Sequence, residues 1–464
     1  MAAMQERVFT RLCSHLLWLI LCVSRHTITG LLYTGARQFV DWTADYRLYS
    51  KGRVDTGQLF TVVRDEVESL LPPSAPLVVA LDDSILRKQG KKIPGLAWRV
   101  DPTGPPFQIN FVWASRVVEL SGAVPYGNQG AARSIPIDFV EAPTPKRPGK
   151  KATEQQTERY RELKRQMNIN AVGVARVKAL RTATEREIQL TVDGRFTNRT
   201  VLKQLPEGVT LIGRIRSDAR LYGIPKEERG PKGGRPRRYG DRLPTPEQIR
   251  QDKSIPWQTV KAFAAGKMHE FKVKTLDAVK WRPAGAKQVL RLLVIAPLGY
   301  RLRKHGKTLY RQAAYLIITD PGLSLQAALQ AYLWRWGIEV NFRDEKSVIG
   351  IGEAQVRNPC SVKTVPAVAV AAYSMLLLAG IRAYGADGIP GDLPEPKWLR
   401  GSKPRVCPTQ RLIAQLRLEA WETQIRAGGF GGFPSEPSSR RGPEQKPKKP
   451  RSPLASAVLY AKKV

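Results

Sequence analysis

Between Leu77 and Gly213 the chain alternates short apolar runs of strand length with helical stretches, and that order admits few architectures. The strand runs are Leu77-Val-Val-Ala-Leu81, then Phe107 to Trp113 leading into Arg116 to Leu120, then Ile135 to Val140. A charged helix follows over Ala152 to Thr184, with an apolar stripe at Ile169, Val172, Val177 and Leu180. A fourth strand at Ile188 to Val192, a helix from Thr197 to Leu205 and a fifth strand at Val209 to Gly213 complete the series. Three strands, a helix, a strand, a helix and a strand build a mixed α/β sheet in which carboxylates at strand ends converge. Two candidates stand there: Asp83, closing the first strand in Leu81-Asp82-Asp83-Ser84, and Asp193, closing the fourth in Thr191-Val-Asp193-Gly194.

Around this core the composition changes. Residues 1–72 carry helical patterning up to the breaker Leu71-Pro72-Pro73-Ser74 and read as a helical N-terminal DNA-binding module. Residues 75–217 hold the first part of the core. Residues 218–311, which open on the basic run Gly230 to Arg238 and continue in strands at Glu270 to Lys274 and Val289 to Ile295, read as an inserted β subdomain. Residues 312–385 return to the core through Tyr315 to Thr319, a helix from Gly322 to Glu345, and an apolar covering helix from Thr364 to Ala383. Residues 386–464 read as a flexible basic region with one helix at Gln410 to Ile425, because Gly428 to Pro453 buries too little apolar surface to fold alone.

Charge narrows the partner. Lys and Arg number 76 against 40 Asp and Glu, which gives +36 and a pI near 10.3. Such an excess repels itself in a compact fold, and its commonest extended partner is nucleic acid. Acidic membranes rank below, since the basic residues are spread along the chain and the apolar run Leu16 to Val23 is too short to span a bilayer. Cys13, Cys22, Cys360 and Cys407 form no metal or disulfide pattern, and none of the four histidines has a partner at ligand spacing. A reducing compartment fits.

The chemistry concentrates in Tyr332-Leu-Trp-Arg335-Trp-Gly-Ile-Glu339-Val-Asn-Phe-Arg-Asp-Glu-Lys346. At roughly 100° per residue its Tyr, Arg, Glu and Lys fall within one arc of about 60°, while Asp344 and Glu345 fall outside it. Glu339 suits a divalent cation, Arg335 and Lys346 suit phosphate oxygens, and Tyr332 offers a ring or a hydroxyl. An amphipathic helix with an ordinary Arg335 to Glu339 ion pair is the plain alternative. Trp281, Trp334 and Trp336 offer faces to an unstacked base, with core packing as the alternative for each; Trp336 lies nearest the arc. Three convergent carboxylates hold two metal ions about 4 Å apart, the arrangement that clamps both attacking and leaving oxygens of a phosphodiester. Asp83, Asp193 and Glu339 are the three expected.

With these residues the chain resembles the DDE transposases of bacterial insertion sequences, in the insertion-sequence-four superfamily whose Tyr-x2-Arg-x3-Glu-x6-Lys motif matches Tyr332, Arg335, Glu339 and Lys346. Leu-Asp-Asp-Ser at 81 to 84 is similar to that family's first block and Val-Asp-Gly at 192 to 194 to its second, although Gly194-Arg195 stands where many relatives carry Arg-Glu-Ala-Asp. The resemblance covers about residues 75 to 385. It implies an RNase H-like core with a β-strand insertion before the catalytic Glu, and cut-and-paste transposition with two Mg2+ ions, Mn2+ substituting. It also implies terminal inverted repeats and target DNA as substrates, a dimer on DNA, and DNA contacts from Tyr332, Arg335 and Lys346. Of the adjacent pair, Asp83 is the expected metal ligand by its place before Ser84, with Asp82 as the alternative. A DNA-binding relic that no longer cuts, or an RNase H-fold nuclease without strand joining, are the competing functions.

Overall fold

In the computed structural model, which describes residues 5–101, 104, 107–127, 130–225, 237–301, 306–386 and 407–426, one mixed sheet of eleven strands organises the chain. Four helices lead in: α1 (Glu6–Leu21), α2 (Ile28–Thr34), α3 (Thr43–Ser50) and α4 (Thr56–Ser69). Then come β1 (Leu77–Arg87), β2 (Ala97–Val100), β3 (Phe111–Tyr126), β4 (Ala131–Glu141), α5 (Glu154–Gln166), α6 (Ile169–Ala183), β5 (Ile188–Val192), α7 (Arg199–Leu202) and β6 (Val209–Arg214). The next segment holds β7 (Leu221–Tyr222), α8 (Pro246–Gln251), β8 (Gln258–Ala264), β9 (Lys267–Trp281), β10 (Leu290–Ile295), β11 (Gly299–Tyr300) and β12 (Leu309–Tyr310). The chain closes with β13 (Ala314–Ile318), α9 (Leu325–Trp334), α10 (Trp336–Ser347), α11 (Pro359–Tyr384) and α12 (Thr409–Arg426).

The strand order β3-β1-β5-β6-β13-β10-β9 places β1 and β5 side by side and parallel, with β4 on the far flank of β3. Both central strands are buried on both faces, which is why they read as unbroken apolar runs and not as alternations. The register fixes the two faces. Leu77, Val79 and Leu81 stand beside Ile188, Leu190 and Val192 on the face covered by α6, while Val78, Ala80 and Asp82 point to the face covered by α9 and α10. Ala80 packs with Ile338 and Phe342 of α10 there. Gly173 of α6 sits so close to Leu81 and Phe196 that a Cβ would lie 3.0 Å from the Phe196 ring, so this glycine sets the approach of the helix to the sheet.

The N-terminal helices share the main core. Val63 and Val67 of α4 pack with β4 and α11, and His15 of α1, fully buried, bonds Tyr49 (2.9 Å) and Asp45 (3.0 Å). Helix α11 is long and apolar enough to cross a membrane, yet it lies buried against β4, α4 and α1.

Several elements differ from their expected extents. Strand β1 runs past Leu81 to Arg87, since β3 is long enough to pair with it down to Arg87↔Ala114. Both aspartates therefore lie inside a strand and face opposite ways. The charged helix of 152–184 breaks in two at Asn168, whose side chain caps α6 by accepting from Asn170 N (3.0 Å). The helix expected over 197–205 shortens to α7, started late by Asn198, which accepts from Thr200 N and Val201 N. The expected helix from Gly322 to Glu345 becomes α9 and α10, joined by a tight turn at Arg335 whose carbonyl accepts from Ile338 N at 3.1 Å. Strands β10 and β9, expected in an inserted subdomain, hydrogen-bond onto the core sheet through β13. Most of Gly230 to Arg238 and the segment Gly428 to Pro453 lie outside the described residues.

Candidate active site

Parallel pairing of β1 with β5 ends at Leu81↔Val192, so the next residue on each strand is an aspartate, and both project to the same face. Asp193 is aimed by a turn in which its own Oδ1 accepts from Arg195 N (2.9 Å) and Phe196 N (3.3 Å). Oδ1 of Asp82 accepts from Asp83 N at 2.8 Å. Burial, and then the charge of Asp193 beside it, push the Asp82 carboxyl up to about 7. A carboxyl raised in this way by burial and by a neighbouring acid marks a site with an unmet demand for positive charge.

Asp83 turns to the other face. Its carboxylate accepts from Nη1 of Arg195 at 2.8 Å to each oxygen and lies 3.3 Å from Nε of Arg116. The carboxylate expected to lead the triad is thus occupied by guanidinium, and its neighbour Asp82 is the one turned toward Asp193.

Glu339 stands one turn into α10, on the Asp82 face, and accepts from Nη2 of Arg335 at 2.8 Å. Nη1 of the same guanidinium lies 3.6 Å from Asp82 Oδ2, so Arg335 bridges the strand carboxylate and the helix carboxylate. Arg335 also lies against the Tyr332 ring at 5.7 Å, and burial raises the Tyr332 phenol. Lys346, about two turns beyond Glu339, reaches back to donate to Ser84 Oγ on β1. Tyr332, Arg335, Glu339, Asp82 and Asp193 therefore form one cluster, and Lys346 edges it from the β1 side.

Trp336 is 58% exposed at the rim of an open cleft of about 1890 Å³ that Tyr332, Arg335, Arg214, Phe263 and Arg311 also line. Trp334 instead donates its Nε1–H to Gly130 O (2.8 Å), and Trp281 packs against the main core. Both settle on the packing alternative.

The donor set of Asp82, Asp193 and Glu339 is all carboxylate oxygen, the chemistry that hard divalent cations take. Among the described residues no three acidic, His or Cys side chains already close round one point, and the Arg335 guanidinium bridges Asp82 and Glu339. The residues fit a cation that displaces this guanidinium.

Two features were missed from sequence. One is the arginine group on Asp83, for which nothing near residue 116 or 195 gave a local signal. The other lies beneath α10, where Glu345 and its β3 neighbour Glu119 are both fully buried; Ser121 donates to Glu119, and Asn341 donates to Ser121 at 3.1 Å. Each carboxyl is raised by burial, Glu345 to about 7, so the pair holds a proton at neutral pH.

Residues 10–288, more than half of the chain, match the family described as DDE superfamily endonuclease. The chain belongs to that family. Membership makes it a nuclease of the DDE class, with DNA as the substrate class and divalent metal as the usual requirement. The match takes in Asp82, Asp83 and Asp193 and stops short of Glu339, so that candidate rests on its spacing to Tyr332 and Arg335 and on the geometry. No curated protein matches the chain.

Proposed function

We propose that this DDE endonuclease is an insertion-sequence transposase of the Tyr-Arg-Glu-Lys type, cutting element ends and joining them to target DNA through Asp82, Asp193 and Glu339. One observation carries the reading: Asp82 and Asp193, each following the last β1–β5 pair Leu81↔Val192, share a face with Glu339, to which Arg335 links Asp82. Asp82 takes the role first expected of Asp83. The flanking order β4-β3-β1-β5-β6, with β1, β5 and β6 parallel, supports an RNase H-like core.

In this reading Asp82 and Asp193 would hold one Mg2+ between them, and Glu339 would complete a second site once Arg335 turns to a DNA phosphate. When bound, the two ions supply a water or 3′-hydroxyl of lowered pKa and neutralise the leaving oxygen. Arg335 and Tyr332 then hold the strand at the terminal repeat, Trp336 presents its ring to an unstacked base, and Lys346 reaches a phosphate beside the scissile bond. Two ends require two active sites, so the working form is a dimer on DNA, in the nucleoid of a bacterial cytoplasm.

The test uses labelled duplexes from the DNA flanking the chain's own coding region, with Mg2+ or Mn2+, comparing the intact protein with Glu339→Gln. Nicking and joining in the first, absent in the second with DNA binding retained, is the expected result. Nicking without joining would reduce the protein to a nuclease, and binding without cleavage in either would make it a DNA-binding relic.

A further inference from the structure

The two aspartates of β1 face opposite ways, and each meets arginine: Arg335 at Asp82, Arg195 and Arg116 at Asp83. The second group is larger than its carboxylate needs. Arg195 commits Nη1 alone to both oxygens of Asp83, and 48% of its side chain is exposed. Arg116 Nε is buried at 3.3 Å from Asp83 without a hydrogen bond. Arg99, on β2, donates to Ala114 O and Thr144 Oγ1 and adds a third guanidinium, whose pKa burial and the charge of Arg116 push down to about 10. Against Arg99, Arg116 and Arg195 stand Asp83 and, at the Arg99 end, Glu141. On this face of β1 the three guanidiniums outnumber those two carboxylates in partly buried surroundings, where charge is poorly screened, while Asp193 and Asp82 act on Arg195 from the other face.

Position gives this excess a meaning. Arg195 follows Asp193 in the turn that aims that carboxylate, and it feels the charges of Asp83, Asp193 and Asp82. The carboxylate pair thus has Arg335 on one side and Arg195 on the other. Resting on the DNA-cleaving reading above, we propose that Arg195 and Arg116 form a second phosphate site, which takes a phosphodiester of the DNA beyond the scissile bond, on the side away from Tyr332 and Arg335. The forked guanidinium of Arg195, with Nε and Nη2 turned to no partner among the described residues, is the recognising group, and Asp83 is its positioning residue rather than a metal ligand.

The experiment measures binding of the full chain to two duplexes without divalent metal, one ending at the cleavage point and one continuing about ten base pairs past it, a length that spans one helical turn. Salt is varied from about 50 to 200 mM, the range over which phosphate contacts are read. The intact protein should bind the longer duplex more tightly. Arg195→Gln should remove most of that advantage and lower the slope of log Kd against log salt by about one, with the ended duplex bound as before. Arg195→Lys, which keeps the charge and loses the fork, should fall between. Because Arg195→Gln strands Asp83 in a buried position, the pair Asp83→Asn with Arg195→Gln is measured beside it. An unchanged slope in these variants overturns the second site while leaving the nuclease reading intact. Equal weakening on both duplexes, tracking a fall in Tm, makes the arginines a structural ion pair only. Failure of the intact protein to bind either duplex removes the DNA reading and the site with it.

Discussion

A single residue of register separates the two readings of Asp82 and Asp83. The sequence shows two adjacent acids on a strand, and alternation says that only one reaches a given face; which one depends on where β5 stops. Because Leu81 pairs with Val192, Asp82 is the residue that continues beside Asp193, a long-range fact that no motif block around Ser84 contains. Asp193 and Glu339 were legible as candidates, the first from the end of an apolar run and the second from its spacing to Tyr332 and Arg335. Asp82→Asn should lower metal-dependent nicking by roughly 10³-fold, the scale of losing a group used in the transition state, and Asp83→Asn by about tenfold or less. Single-turnover nicking of both variants at saturating DNA decides it. Equal losses would return Asp83 to the metal site.

Helix α10 carries Glu339, and two contacts set where that helix lies. The first is steric. A Cβ on Gly337 would come within 2.4 Å of Ser134 Cβ on β4, a backbone-bound atom that does not yield. Gly337→Ala should push α10 off the sheet and displace Glu339 two residues on; since a misplacement near 1 Å costs up to about 10²-fold, nicking should fall at least tenfold with DNA binding kept. Adding Ser134→Gly should restore most of it, an outcome that simple misfolding would not give. The second contact is the buried pair Glu119 and Glu345. Glu345 is raised from an ordinary 4.5 to about 7, so the fold disfavours its charged form. Stability from this group is greatest below the unfolded value and is lost as pH rises through 4.5 toward 7. Glu345→Gln should therefore raise Tm at pH 8 by several degrees, with little change at pH 5. A helical wheel correctly sent Glu345 away from Glu339, yet it assumed one helix from Tyr332 to Lys346. The turn at Arg335 breaks that wheel, and what lies under the far face depends on β3, remote in sequence.

At the scale of the whole molecule, the central strands were readable in order, but not the edge strands β2 and β8 or the reach of the sheet. The runs at Glu270 to Lys274 and Val289 to Ile295 announced strands, but nothing local says that Leu292 to Ile295 pair with Ile317 to Ala314 and so extend the core. Such joins are decided by which edge of β13 is open once β6 has taken the other. The charge of +36 acts on this assembled sheet as a whole, and it was legible from composition alone. Like charges so numerous repel one another in the compact state, and condensing them on a polyanion relieves that repulsion while releasing counterions from the DNA. A ligand that binds the folded chain better than the unfolded one raises Tm by mass action. The unfolded chain carries the same charge, but only the fold gathers Arg335, Lys346, Arg195 and Arg116 around one end of β1 and β5. A short duplex of arbitrary sequence, added at about 50 mM salt, should therefore raise Tm by several degrees, and the rise should vanish by roughly 500 mM as screening shortens the Debye length to a few ångströms. Intrinsic tryptophan fluorescence during heating, with and without duplex at both salt concentrations, measures this directly. A rise that persists at high salt would point to sequence-specific contacts already dominating, and no rise at low salt would mean that the positive charge is arranged for solvent and not for DNA.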